Sequence, residues 1–482
     1  MRQLESVLSG SENILPEIFL ATGLLVLVLV VSFQKSNLST VFYLAICINI
    51  IYIIFASKFY LSTLTKGESI FLFEKMLTID LSSLLFKQLI HIAALIFFIH
   101  SRILKYEYRG EIYLLILAIC LGLDIMVMSQ HFVIIFLALE FSSILSYVLV
   151  ASDQKKINFE AAFKYLIFGS TSSAIMLLGI SFIYGISYSL NFSDSALAIA
   201  LQKQGLVLPQ ILLFFVMAGV LFKVAAAPFH SWVPDVYQTT STPILSFLSF
   251  APKLAGFVVI GQFIKVLEID LDWVIGIIAI LSMTVGNLAA LYQKNLKRML
   301  GFSGIAHVGF ILTGLLLYKQ NQHYGTYFYL ISYLPITMGS FYLADVLNKY
   351  KNSYTIEDYK GLGQNFPSLG LNALIIMAAL VGLPPTIGFL AKIMVFSGLL
   401  QAQESSSLYY TLLIFGFLNT AISIYYYLKV PFIMLIKGTN IPQIKIPEGV
   451  LLNFSLTYFS VVIILLFFFP DQISEIVRQI TR

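Results

Sequence analysis

Apolar residues in this chain run in long unbroken stretches, without the strict alternation of a strand or the one-sided stripe of a surface helix. Runs of the roughly 20 mainly apolar residues needed to cross a bilayer fall at 15–34, 38–57, 79–101, 110–129, 131–151, 160–187 and 207–230. Further runs fall at 240–267, 272–292, 299–319, 323–347, 370–402, 408–433 and 449–470. The pattern predicts an all-α integral membrane protein of about fourteen transmembrane helices. The linkers between runs are too short for an independent soluble domain, though 188–206 and 348–369 have room for short surface helices.

Two of the runs with proline well inside the membrane stand out: FKVAAAPFHSWVP around Pro228, and ALVGLPPTIGFLAK around Pro384 and Pro385. Proline lacks a backbone donor and clashes with the preceding turn. Each run is therefore expected to be a broken helix, in a place where protein or water re-satisfies the freed backbone groups. Broken helices at corresponding places in two halves point to a transport path. The spacing fits two five-helix repeats, which the odd helix number makes inverted. The predicted layout is residues 1–109 (helices 1–3), 110–267 (first repeat, helices 4–8), 268–433 (second, inverted repeat, helices 9–13) and 434–482 (helix 14).

Composition narrows the class further. Of 482 residues, 59% are hydrophobic and only 11% charged, against roughly 25% charged in soluble domains, so a water-soluble fold is excluded. Aromatic residues make up 15%, and many lie near the ends of apolar runs, as interfacial belts require. Cys47 and Cys120 fall inside apolar runs without CxxC spacing and read as inert core thiols. The amino terminus has acidic residues before the first apolar run and no small-residue cleavage site, so the first helix is expected to be retained.

A net charge of +5 comes from basic residues scattered through short loops, with no aromatic-interleaved basic patch. That gives nucleic-acid binding no support. Alternate loops carrying Lys35; Arg102, Lys105, Arg109; Lys155, Lys156; Lys294, Lys297, Arg298; Lys349, Lys351, Lys360; and Lys429, Lys437, Lys445 hold the larger share of lysine and arginine. By the positive-inside rule these loops are cytoplasmic and both termini are not.

The residues left inside the spans carry the candidate chemistry. Glu140 sits near the middle of its run, where placing a charge costs at least ~2.5–3.5 kcal/mol unless it meets a partner or a hydrated cavity. Basic residues inside spans are Lys87, Lys164, Lys223, Lys253 and Lys392. Lys253 is close to mid-span, Lys223 just precedes the first proline break, and Lys392 follows the second. Desolvated lysines take up and release protons near neutral pH, which exposed ones do not. A carboxylate such as Glu140 near Lys223 favours the charged amine, and moving it away favours release.

Lys164 is near enough to a helix start to snorkel, so anchoring and a path role compete for it, and Lys87 is the weaker candidate. His230 and His307 suit a relay, since imidazole titrates near neutrality, though a lone helical histidine is more often simply hydrogen-bonded. For His307, between Ser303 and Gly309, a path role is favoured. Asp124 is also intramembrane and is given no role. The sequence has no dinucleotide-binding GxGxxG loop, no Walker A stretch, no cysteine cluster and no metal-spaced histidine pair. An ion gradient or a conformational push from partner subunits is the energy source that remains.

The stretches KVAAAPFHSWVPDVYQTTSTPILSFLSFAPKLAGF, NLKRMLGFSGIAHVGFIL and LVGLPPTIGFLAK resemble the antiporter-like subunits of respiratory complex I, the proton-pumping NADH:quinone oxidoreductase, over roughly 110–433. Within that family, PDVYQ at Pro234 to Gln238 and APK at 251–253 look like the subunit N branch, the counterpart of mitochondrial subunit 2. The subunit L branch carries a long lateral helix after its last common span, whereas twelve residues follow Pro470 here, which sets the expectation against that branch.

The resemblance implies two inverted five-helix repeats and a chain that binds no cofactor, with NADH, FMN, iron–sulfur clusters and quinone handled by other subunits. It maps the family's helix-five glutamate onto Glu140, its helix-six lysine onto Lys164 and its lysine before the PFH break onto Lys223. The lysine of the following helix maps onto Lys253, the histidine of the SxIAHxG stretch onto His307, and the lysine after the second break onto Lys392. Asp124 departs from the small or apolar residue expected there. The function implied is outward proton translocation from the cytoplasm, driven by quinone reduction elsewhere in the complex. The implied partners are the bilayer and the other membrane and peripheral subunits, including neighbouring antiporter-like ones, in a bacterial inner membrane. The alternatives are a cation/proton antiporter subunit of the Mrp type and a scaffold whose buried charges only hold helices in register.

Overall fold

A computed structural model describes residues 12–33, 38–66, 69–152, 156–192, 194–266, 269–320, 324–402, 406–435 and 449–481. Lys35, Lys155, Lys437 and Lys445, and most of the acidic amino-terminal segment, lie outside the described residues. Where they are described, the apolar runs are mainly helical, with breaks in two of them. Among the described residues, twelve helices are long and apolar enough to cross a membrane, and the bent pair Leu452–Phe468 and Asp471–Ile480, turned by 73°, adds a thirteenth candidate. The fourteenth run is the pair of shorter apolar helices Pro367–Val381 and Ile387–Ala402.

The described chain clusters into two compact units. The first holds residues up to Val224 together with Ala251–Leu271. Its elements are α1 (Leu15–Phe33), α2 (Leu38–Lys66), a hairpin of β1 (Ile70–Leu72) and β2 (Leu77–Ile79), α3 (Leu81–Ile103), α4 (Gly110–Met128), α5 (Phe132–Ala151), α6 (Lys156–Ser187), the short α7 (Ser195–Gln202) and α8 (Val207–Val224). The hairpin pairs Ile70 with Ile79 in antiparallel register. Asp80 ends it by accepting the Ser83 amide at 2.7 Å in a capping box, which satisfies an orphan donor of α3.

The second unit holds Ala225–Phe250 and everything from Asp272 onward. It contains α9 (Val233–Thr239), α11 (Asp272–Leu291), α12 (Leu296–Leu315), α13 (Tyr324–Lys351), α14 (Leu362–Asn365), α15 (Pro367–Val381), α16 (Ile387–Ala402), α17 (Ser407–Leu435), α18 (Gly449–Phe468) and α19 (Asp471–Thr481). The division falls inside one continuous helix, α10 (Thr242–Val266), between Phe250 and Ala251. The two connectors expected to hold short helices do so, with α7 in one and α14 in the other.

Both proline breaks are present. Helix α8 stops at Val224, so the carbonyl that residue 228 would serve meets a proline with no N–H, and the chain turns through 225–232 before α9. The second break separates α15 from α16 at 382–386, where Gly382 takes φ +84° and closes α15 through its amide to Ala378 O at 2.9 Å. Helices α10 and α12 are buried along their full membrane windows, while α1 presents Leu25, Val26 and Leu29 outward as a lipid-facing helix does. One thiol departs from expectation: Cys120 is buried, but Cys47 lies on the exposed face of α2. A helix that is apolar all round gives no sequence signal for which side faces inward.

Candidate functional site

In the first unit, Glu140, Ser143 and Tyr147 share a face of α5 through their three- and four-residue spacing. The Glu140 side chain is half-buried and accepts a short hydrogen bond from Ser173 Oγ of α6. Lys223, near the end of α8, is 1% exposed, and its Nζ donates to Ser143 Oγ at 3.0 Å. The two charges expected to pair are thus each served by a serine hydroxyl, and no direct ion pair joins them among the described residues. Lys253 is also 1% exposed and follows Pro252, which sits inside α10 and frees the Leu248 carbonyl. Lys164 differs from these. It is half exposed on α6 and pairs with Glu160 one turn away at 3.0 Å.

In the second unit, Lys392 lies one turn and more into α16, and its amine reaches back over the break to donate to Val381 O at 2.6 Å. The ammonium also sits 4.5 Å from the centre of the Phe310 ring, a cation–π contact. His307 is buried on α12 between two phenols, with Nδ1 2.7 Å from Tyr329 Oη and Nε2 3.1 Å from Tyr427 Oη. Tyr427 and Ser303 share a further short hydrogen bond. Beside it, Tyr426 Oη donates to Asn287 Oδ1 at 2.8 Å, and Asn287 donates to Asn419 Oδ1 at 3.1 Å. Phe310 stands between the histidine and the lysine, 6.4 Å from the imidazole centre to centre. His230, in the turn after α8, is partly buried, with Nδ1 lacking a hydrogen-bond partner among the described residues.

The PDVYQ stretch has a structural explanation. It forms α9, and Arg298 of the NLKRML stretch donates to Gln238 at 2.8 Å and pairs with Asp235 at 3.3 Å. Lys297, expected among the loop charges, is instead 3% exposed, donating to Thr240 O at 2.8 Å and lying over the Tyr354 ring. It is an anchor for the chain between α9 and α10. The sequence reading missed Ser143, Ser173, Tyr329, Tyr427, Asn287, Asn419 and the fully buried Asp345, which accepts from Tyr354 Oη at 3.3 Å. Serines and tyrosines are common in membrane helices, and in a chain with 27 tyrosines these few carry no distinguishing signal.

A third group of charges lies among the first helices. Lys87, the weakest sequence candidate, is 1% exposed and makes a 2.7 Å salt bridge to Glu17. Asp124, given no role, pairs with His91 Nε2 at 3.0 Å. Neither Glu17 nor His91 was singled out from the sequence.

The chain's sequence and fold also match those of known proteins. The family described as NADH:quinone oxidoreductase/Mrp antiporter, transmembrane, matches residues 129–423. The chain is 33% identical over 444 residues to NADH-quinone oxidoreductase subunit N of Chlorobium chlorochromatii, covering 88% of this chain and 85% of that protein. It is 33% identical over 475 residues to the same-named protein of Methylovorus glucosotrophus, covering 96% of each. Among solved structures, a chain of respiratory complex I from Thermus thermophilus with bound aureothin superposes with a TM-score of 0.77 at 26% identity, over 96% of this chain and 99% of that one. A chain of the Mrp complex from a Dietzia species has a TM-score of 0.83 at 16% identity over 97% of each, a likeness of fold alone. By the span of the family match and the extent of these relatives, the chain belongs to the NADH:quinone oxidoreductase/Mrp antiporter family of membrane proteins.

Proposed function

We propose that this chain is a proton-translocating membrane subunit of an NADH:quinone oxidoreductase, coupling quinone reduction in other subunits to outward proton movement. The observation that carries it is the way two of the buried lysines are held. Lys223 donates to a serine hydroxyl and Lys392 to a backbone carbonyl, both neutral acceptors. Lys87 is buried in an ion pair and Lys297 ties down the chain between α9 and α10, whereas Lys223 and Lys392 adjoin the two proline breaks. A lysine held by neutral acceptors can exchange its proton without breaking an ion pair, which is what a relay requires.

In this reading Glu140 and Lys223 are the modulating pair, acting across Ser143 and Ser173, and Lys253 passes the proton on. Lys392 hands it toward an exit, with His307 and its tyrosines alongside and water completing the path. Lys164, paired on a half-exposed face, is the least of the six. We read 110–267 and 268–433 as two inverted repeats, and both termini as non-cytoplasmic in a bacterial inner membrane. The chain's part is pumping. NADH, FMN, iron–sulfur clusters and quinone belong to other subunits of the complex, which with neighbouring antiporter-like subunits are its partners. The Mrp-type antiporter reading is less supported, since the relatives with high coverage are named as subunit N and the Mrp likeness is one of fold.

Purification in mild detergent through a tag on this chain tests the assignment. Flavin and iron–sulfur subunits co-eluting with NADH:quinone reductase activity support it. Recovery with small antiporter subunits alone, and no such activity in intact membranes, overturns it in favour of the Mrp reading.

A further inference from the structure

Four helices of the first unit contribute to a buried string of ionisable groups apart from the lysines above. Glu17 of α1 accepts from Lys87 Nζ of α3 at 2.7 Å and from Tyr52 Oη of α2 at 3.1 Å, all on Oε1. Tyr52 lies close enough to Asp124 of α4 to interact with it electrostatically, and its ring stacks on His91 at 3.7 Å between centroids. His91 Nε2 meets Asp124 Oδ2 at 3.0 Å, and Nδ1 meets Asn49 Oδ1 at 2.6 Å, which fixes the imidazole from both sides. Cys120, one turn before Asp124 on α4, is the other titratable group near that carboxylate. Lys87, His91, Asp124, Tyr52 and Asn49 are all 1% exposed or less, and Glu17 is 6%.

Charge balance decides what such a string holds. It has two carboxylates, one ammonium and one imidazole, and an uncompensated charge at this depth costs several kcal/mol. The neutral cluster therefore carries one proton beyond those of Lys87, and the place for it is the His91–Asp124 pair. Two carboxylate oxygens, Glu17 Oε2 and Asp124 Oδ1, are buried with no hydrogen-bond partner among the described residues. Each carboxylate of the network thus keeps one oxygen on which a proton can sit. On one side the string is closed by apolar packing: Lys87 Nζ touches Met128 Sδ at 3.3 Å, and Met128 packs with Leu72, Ile79 and Leu84 beneath the hairpin.

We propose that Glu17, Tyr52, Lys87, His91 and Asp124 form a second proton-holding site in this chain, separate from the Glu140, Lys223, Lys253 and Lys392 relay. Its exchangeable proton is shared by His91 and Asp124 and passes to Glu17 through the Tyr52 hydroxyl. In that transfer Tyr52 gives its own proton to Glu17 and receives one from Asp124, so the phenol is unchanged and one proton has moved. The site rests on the reading that the chain moves protons within a quinone reductase. It lies outside the segment that carries the family match.

The test is the assembled complex in inverted membrane vesicles, reading NADH-driven proton uptake as a ratio to NADH oxidation. Asp124→Asn removes the exchangeable proton and keeps the shape. Glu17→Gln combined with Lys87→Met removes the receiving carboxylate, keeps the site's volume and removes both charges of the pair together. The expected result is a partial fall in the ratio in both, comparable to that of Lys253→Ala in the same vesicles, because the neighbouring antiporter-like subunits of the proposed assembly keep pumping. If Asp124→Asn does not assemble, the double variant decides. A wild-type ratio in the assembled variants overturns the proposal, and so does failure of both to assemble, which makes the cluster a structural brace. Lys253→Ala in the same vesicles separates this from the reading above. A lowered ratio there with normal Asp124→Asn sinks the second site alone, whereas a normal ratio in Lys253→Ala sinks the central relay.

Discussion

Lys392 donates through Nζ to the carbonyl of Val381 at 2.6 Å, and that carbonyl is the one whose helical partner would have been the N–H that Pro385 lacks. The lysine thus caps the break it follows. An amine that closes a broken helix is tied to the geometry of the break, so any movement of the 382–386 turn changes what holds the proton.

Lys392→Ala is therefore expected to do two things. It leaves a buried carbonyl unbonded, at a cost of about 1–3 kcal/mol, and it removes the last amine of the proposed path. The prediction is an assembled complex with lower thermal stability and a partial fall in NADH-driven pumping. Pumping at the wild-type rate removes Lys392 from the path.

Gly382→Ala tests the same cap without touching the charge. Gly382 holds φ +84°, and a Cβ built there comes within 2.8 Å of Lys392 Cδ. The left-handed backbone alone costs an alanine roughly 1–2 kcal/mol. The lysine must also move off Val381. Loss of pumping with retained assembly, measured in vesicles, is the expected outcome; unchanged pumping shows that the Lys392–Val381 bond is incidental.

Ser143→Ala removes the acceptor that stands where a Glu140–Lys223 ion pair was expected. With the hydroxyl gone, the Lys223 amine has Glu140, three residues away on the same helical face, as the nearest charged acceptor on α5. We expect a direct pair to form, visible as a Lys223 Nζ to Glu140 carboxylate distance under 4 Å in a structure of the variant, and pumping to slow while NADH oxidation with uncoupler persists. Ser143→Thr, which keeps the hydroxyl, is expected to restore much of the rate.

How much of this was legible in the sequence follows from chemistry. Glu140, Lys223, Lys253 and Lys392 stand out because a charge in an apolar run is expensive anywhere in lipid, and the breaks stand out because proline has no N–H. The neutral groups that receive those charges have no such signature: Ser143 and Tyr427 look like any serine or tyrosine in a membrane helix. Glu17 was hidden by its place near the start of the first helix, where an acid reads as interfacial, and only the fold brings it to Lys87, 70 residues away. Lys164 shows the opposite limit, since an exposed and a buried lysine in an apolar run have the same sequence appearance.

Lys164→Ala is accordingly predicted to be mild. An exposed i,i+4 pair with Glu160 contributes about 0.3–0.5 kcal/mol, and the side chain is 44% exposed. Stability close to wild type and pumping within about twofold are expected. A loss as large as that of Lys253→Ala would show that the face of α6 around Lys164 is part of the path in the assembled complex.

Tyr427→Phe addresses the histidine. His307 is held at Nδ1 by Tyr329 and at Nε2 by Tyr427, so the imidazole has one phenol on each nitrogen, and Tyr427 extends the chain to Ser303. Replacing Tyr427 by phenylalanine keeps the ring packing against Tyr426, whose centroid is 4.3 Å away, and removes one oxygen. If His307 only braces α12, the cost is that of one buried hydrogen bond, about 1 kcal/mol, read as a small fall in melting temperature with pumping intact. If His307 passes protons, removing the group on Nε2 interrupts transfer at an unchanged imidazole. Pumping then falls about as far as in His307→Phe, with little further loss of stability. The second outcome is the one expected, because a chain of hydroxyls on both ring nitrogens can carry a proton through the imidazole, whereas a brace needs a bond to only one of them.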